Sequence, residues 1–149
     1  MMPNQPHDPT PHLPALLPPT TTLLHRTQTT LGLLREVVQE SSAEYWYERG
    51  IKYSKEEEWE DAIDAFERSI AINNSDAKVH LKIGWCKTWL GDYTGALADY
   101  DRAIELAPSY WAFHDRASAK EVLGDFSGAQ IDRQSAYSLN RLQTNLFST

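Results

Sequence analysis

The sequence predicts an all-α protein: a short α-solenoid of three helix–turn–helix hairpins preceded by one extra helix. Two observations carry that prediction. From residue 43 onward the chain repeats itself. A shift of 34 residues pairs Gly50 with Gly84, Trp59 with Tyr93, Ala62 with Ala96, Phe66 with Tyr100 and Ile70 with Ile104. A further shift of 33 pairs Gly91 with Gly124, Tyr93 with Phe126, Gly95 with Gly128, Ala96 with Ala129, Asp99 with Asp132 and Ala103 with Ala136. Within each unit the apolar spacing is helical, and Gly91-Asp92 and Gly124-Asp125 interrupt it midway, so a unit is two helices and a turn. Such a unit cannot bury its apolar face alone, and neighbours stack to cover it.

The elements follow in chain order. Residues 1–19 hold seven of the eight prolines and no aromatic residue. That composition cannot offset the entropy of ordering, so a disordered tail is expected. Pro3, Pro6 and Pro9 would share one edge of a polyproline II helix and could serve as a docking peptide. The segment lacks the basic start of a secretory signal. Residues 20–42 read as an amphipathic helix: Thr20, Thr21 and Thr22 offer N-cap oxygens, and Leu24, Leu31, Leu34 and Val38 form one stripe. Gly32 weakens it by about 1 kcal/mol relative to alanine. Three hairpins are expected at residues 43–76, 77–109 and 110–142, with a short tail over 143–149.

Composition narrows the function. With 149 residues, 41% apolar, 23% charged and a mean hydropathy of −0.53, the chain reads as soluble and globular. No apolar run reaches the length of a membrane span. A net charge of −7 disfavours nucleic acid, whose phosphates need lysine and arginine to replace counterions. The lone Cys86 allows no internal disulfide and suits a reducing compartment, so a cytoplasmic location is expected.

The repeat resembles the tetratricopeptide repeat (TPR). Its best copy, residues 77–109, carries Gly84, Leu90-Gly91-Asp92-Tyr93, Ala96, Asp99-Tyr100, Ala103-Ile104 and Pro108. The first unit carries Trp46, Gly50, Tyr53, Trp59, Ala62, Phe66 and Ile70; the third keeps Phe113, Ala117, Gly124, Phe126, Ala129 and Ala136. The resemblance implies that Gly50, Gly84 and Ala117 mark where the second helix crosses the first, opposite Ala62, Ala96 and Ala129. Trp46, Tyr53, Phe66, Tyr93, Tyr100, Phe113 and Phe126 should fill the volume between. Departures from the pattern are Glu57 in a turn-glycine slot, Asn74 and Arg141 for the closing proline, and Arg133 in an aromatic slot. Ser69 stands where a small residue is expected. Gln130, Asp132, Arg133, Gln134 and Ser135 make the last helix polar, which suits a terminal capping face.

No catalytic constellation stands out, and an enzyme is not expected. His7, His12, His25, His80 and His114 show no ligand spacing, so neither metal nor cofactor is expected. His80 and Cys86 fall at packing positions. The run Glu56, Glu57, Glu58, Glu60 and Asp61 suits the dipole of a helix start.

The resemblance also implies a groove lined by the first helix of each hairpin, holding a segment of another protein. Chaperone-cofactor members grip a C-terminal carboxylate there with lysines, asparagines and an arginine. The matching positions here are Tyr47, Ile51, Lys82, Trp111 and Asp115, so that clamp is not expected. Instead Tyr47, Ile51, Leu81, Trp85, Trp89, Trp111 and His114 predict an apolar and aromatic strip for an apolar peptide or amphipathic helix. An adaptor, assembly factor or chaperone-like protein follows; the alternatives are a regulatory accessory subunit of an enzyme and a secretion-type chaperone. The apolar stripe of residues 20–42 is expected to pack on the first hairpin, or else to block the groove or pair two protomers as a homodimer.

Overall fold

A computed structural model describes residues 20–146, with side chains from 27 to 142 except position 39. The expected disordered tail at 1–19 and the side chain of Leu24 lie outside the described residues. By its contacts the chain falls into two units, residues 1–37 and 38–149. Among the described residues there are seven helices and no strand: α1 (Thr20–Glu40), α2 (Ala43–Lys55), α3 (Trp59–Ile72), α4 (Ala77–Trp89), α5 (Tyr93–Leu106), α6 (Tyr110–Val122) and α7 (Phe126–Leu146). None of them is long and apolar enough to cross a membrane.

Helices α2–α3, α4–α5 and α6–α7 form three hairpins, and each hairpin packs on the next through α3–α4 and α5–α6. Their starts are fixed by side chains that satisfy helix-terminal N–H groups. Ser42, Asp76, Asp92, Ser109 and Asp125 accept from the backbone N–H groups of Tyr45, Lys78, Gly95, Ala112 and Gly128. Helix α3 has no such cap; Glu60 and Asp61 sit in its first turn, where the helix dipole favours a carboxylate. Helix α7 continues to Leu146, through residues expected to begin a tail.

The core is made where the helices cross. Phe66 and Tyr100 are fully buried, and their rings lie directly over Gly50 and Gly84. Ala62, Ala96, Ala117 and Ala129 are fully buried as well, so the small-residue slots let paired axes approach closely. Ser69, also buried, donates from Oγ to the Ala43 carbonyl at 2.8 Å and ties the end of α3 to the start of α2. Trp46 is half-buried beneath the Arg68 guanidinium, 4.4 Å from its ring centroid. Phe126 departs from expectation: it is 69% exposed. Its counterparts Trp59 and Tyr93 are half-buried, each being followed by another hairpin, and no described hairpin follows α7.

The turns repeat too. Gly91 and Gly124 adopt φ of +80° and +85°, and Glu57 takes the same left-handed conformation at φ 60°. A side chain there costs roughly 1 kcal/mol that glycine avoids. Glu57→Gly should therefore raise the stability of the array by up to about 1 kcal/mol, read from the urea midpoint. An unchanged or lowered midpoint would mean that glycine's extra freedom in the unfolded chain outweighs the strain.

Leu31, Leu34 and Val38, expected under apolar cover, are exposed, as are Leu33 and Val37.

Candidate protein-binding face

The hairpin geometry puts α2, α4 and α6 in equivalent places, and α4 meets α6 directly. Of the expected strip, Tyr47, Ile51 and Trp85 are half-buried and pack on the cluster around Phe66, Val79 and Ile83. Leu81 packs on the next cluster, around Ala96, Tyr100 and Ala119. Burial, aided by the Asp76, Glu48 and Glu44 carboxylates, pushes the Tyr47 hydroxyl above the usual tyrosine range, so it stays protonated. These four residues serve the core with one side and the surface with the other. Trp89 and Trp111 differ: each is 61% exposed.

The rings gather in two groups. In the first, Trp59 stacks on Trp89 with centroids 5.6 Å apart and planes 9° apart, while Trp85 meets both edge-on at 5.3 and 5.9 Å. The Lys82 ammonium lies 5.7 Å from the Trp85 ring. In the second, Tyr110 meets Trp111 edge-on at 5.1 Å and stacks on His114 at 5.6 Å. His114 Nδ1 lies 3.0 Å from the Asp115 carboxylate. Such packing holds large apolar surfaces in place before any ligand arrives. Sequence reasoning did not set Trp59 and Tyr110 beside the expected strip, yet their rings pack on Trp85 and Trp89 and on Trp111 and His114. Trp59 had a signal: it opens the second helix of its hairpin, the end that borders the following first helix.

The two residues weighed for chemistry within the array, Cys86 and His80, sit in its interior. Cys86 is fully buried, and burial pushes its thiol up to about 11, far from a reactive thiolate. His80 is largely buried, with Nδ1 3.7 Å from Asp99 and neither ring nitrogen hydrogen-bonded. Among the described residues no three His, Cys, Asp or Glu side chains cluster as a metal site.

The polar last helix needs a partial correction. Gln130 and Gln134 are exposed, as a capping face requires, but Asp132 is only 2% exposed. Its carboxylate accepts from Arg116 through both oxygens, at 2.6 and 2.9 Å, and pairs with Lys120 at 2.8 Å. Arg116 also reaches Asp101 at 2.6 Å, and Arg133 pairs with Glu121 across α6 and α7. The Lys120–Asp132 pair repeats Lys87–Asp99, 2.6 Å apart, one unit earlier. The third hairpin thus replaces an aromatic crossing with ion pairs. Helix α7 also lines a hollow of about 680 Å³ between Arg133, Tyr137 and Leu142.

Models of the tetratricopeptide repeat match the sequence at residues 43–76 and 77–110. No curated protein matches it significantly. Among solved structures, MamA superposes with a TM-score of 0.69 at 26% identity, over 71% of this chain and 63% of its own. The chain therefore spans slightly less than two thirds of MamA. The second TPR domain of Spaghetti (RPAP3), bound to an HSP90 peptide, gives 0.65 at 28% identity over 67% of this chain and 94% of that one. PcrH, in complex with the chaperone-binding region of PopD, gives 0.63 at 28% identity over 64% and 73%. By its repeats at residues 43–110 and by the fold that its third hairpin continues, the chain belongs to the tetratricopeptide-repeat family.

Proposed function

We propose that the chain is a non-enzymatic protein-interaction module, an adaptor, assembly factor or chaperone-like protein of the cytoplasm. It holds an apolar peptide or amphipathic helix of another protein on Tyr47, Ile51, Leu81, Trp85, Trp89, Trp111 and His114. The observation that carries this reading is the exposure of Trp89 and Trp111, each backed by other rings. Tryptophan is enriched among residues that dominate binding energy, and preordered rings lose little entropy when a ligand docks. The RPAP3 domain is solved with an HSP90 peptide and PcrH with a segment of its partner, which supports a peptide-binding role for the same fold. Tyr47, Ile51, Trp111 and Asp115 replace the polar and basic groups that a carboxylate clamp needs, so the apolar ligand is favoured over an acidic chain end. The likeness to PcrH, solved with the chaperone-binding region of PopD, also supports the narrower reading of a chaperone-like protein.

The test is a fluorescence titration of the full chain with two synthetic peptides, an amphipathic leucine-rich helix and a peptide ending in consecutive acidic residues. The helix should bind at least about 10-fold more tightly, and Trp89→Ala/Trp111→Ala should weaken it by about 10-fold or more with helicity unchanged. Equal affinity for both peptides, or a double variant that binds like wild type, would overturn the reading.

A further inference from the structure

Helix α1 carries five large aliphatic side chains within eight residues, and all are uncovered. Leu31, Leu33, Leu34, Val37 and Val38 are 56–67% exposed. At 3.6 residues per turn they occupy one arc about 160° wide, as broad as the core-facing stripe of a globular helix. Gly32 lies opposite that arc, and a Cβ there would meet nothing within 4 Å. Arg35 and Glu36 also lie off the arc, so no charge interrupts the stripe. A soluble helix rarely leaves such a stripe to water.

We propose that the stripe is covered by the same stripe of a second copy, making the chain a homodimer through α1. Charge and area select this occupant. Residues 20–40 hold two arginines and two glutamates and are neutral, whereas residues from 43 onward hold 12 Lys and Arg against 18 Asp and Glu. Two arrays therefore repel one another, while two copies of α1 meet without like charge. Covering five such side chains on each copy removes on the order of 1,000 Å² from water, the lower bound of a specific interface. An isologous pair presents one patch twice, so a single stripe suffices for both sides. An interface at that lower bound belongs with weak, reversible pairs, for which a dissociation constant of about micromolar size is expected. This inference is independent of the aromatic face.

The experiment is sedimentation of the full-length chain across about 1–200 µM, a range that brackets a micromolar constant. Wild type should pass from monomer to dimer within it. Leu34→Glu/Val37→Glu buries charge at the centre of the contact and should raise the dissociation constant at least about 100-fold while array helicity stays the same. Gly32→Ala, on the opposite side, should leave the dimer intact or tighten it by stabilising the helix. A wild type that stays monomeric at the highest concentration overturns the proposal. So does a double variant that still dimerises. A monomer whose urea midpoint falls in the double variant would show that the stripe covers its own array, and one that gains peptide affinity would show that it blocks the aromatic face.

Discussion

Asp132→Asn should destabilise the array by about 3 kcal/mol, the loss expected when one partner leaves a buried ion pair. Asparagine keeps the shape of the side chain but leaves Arg116 and Lys120 without their shared buried carboxylate. Arg116 retains Asp101, and Lys120 can turn outward, so the loss stays at the lower end of that range. The same pair gives a pH signature. Burial alone would raise the Asp132 carboxyl, but hydrogen bonds from Arg116 and Lys120 outweigh it and hold the group below the usual carboxylate range. The folded state therefore binds this proton less readily than the unfolded one. The pair's contribution is complete above the ordinary aspartate value of about 4 and is lost as the pH falls through the lower folded value. Urea midpoints followed from pH 7 down to about pH 3 should fall more steeply for wild type than for Asp132→Asn. Parallel curves would remove Asp132 from the account of acid stability.

Gly84→Ala should cost about 2 kcal/mol, although alanine is the better helix former by up to about 1 kcal/mol. The new Cβ would lie 2.7 and 2.8 Å from ring carbons of Tyr100. That ring cannot withdraw: it is fully buried, and its hydroxyl lies 2.9 Å from Thr88 Oγ1. Gly50→Ala should behave alike, because its Cβ would meet Phe66 at 2.6 Å. A double-mutant cycle with Tyr100→Leu checks the cause, since a smaller side chain at the crossing should recover most of the Gly84→Ala loss. Additive losses would place the damage elsewhere.

These two sites differ in how well the sequence announced them. The crossings at Gly50 and Gly84 were legible, because a small residue at a fixed place in a repeat has few reasons to be there other than close approach. The turns were legible for the same reason, although the sequence marked Glu57 only as a departure from a glycine slot and its left-handed conformation shows only in the backbone. Asp132 was not legible. A polar residue on a terminal helix suits either solvent or a buried partner, and only the meeting of Arg116 and Lys120 across the hairpin decides between them. Phe126 failed for a related reason: repeat position predicts burial only while another repeat follows. The candidate face was legible as a set of residues but not as an arrangement. Helical spacing put Trp85, Trp89 and Trp111 on first helices, whereas the stack with Trp59 depends on how one hairpin leans on the next.

The turns inside the hairpins are three residues long, and helices pack mainly on their neighbours in sequence. Closing such short loops sacrifices little chain entropy, so folding should be fast, on the microsecond to millisecond scale of helical proteins with local contacts. The order of assembly follows from the composition of the hairpins. The middle one has a neighbour on each side and an apolar crossing at Gly84, which suits it to form first. The last one has a single array neighbour and must align several charged groups before it gains from them. Since α6 belongs to that hairpin, the ring group of Tyr110, Trp111 and His114 comes into existence only at the end of folding. A ligand spanning both ring groups would therefore act as a brake on unfolding, lengthening the lifetime of the native state without hastening its arrival.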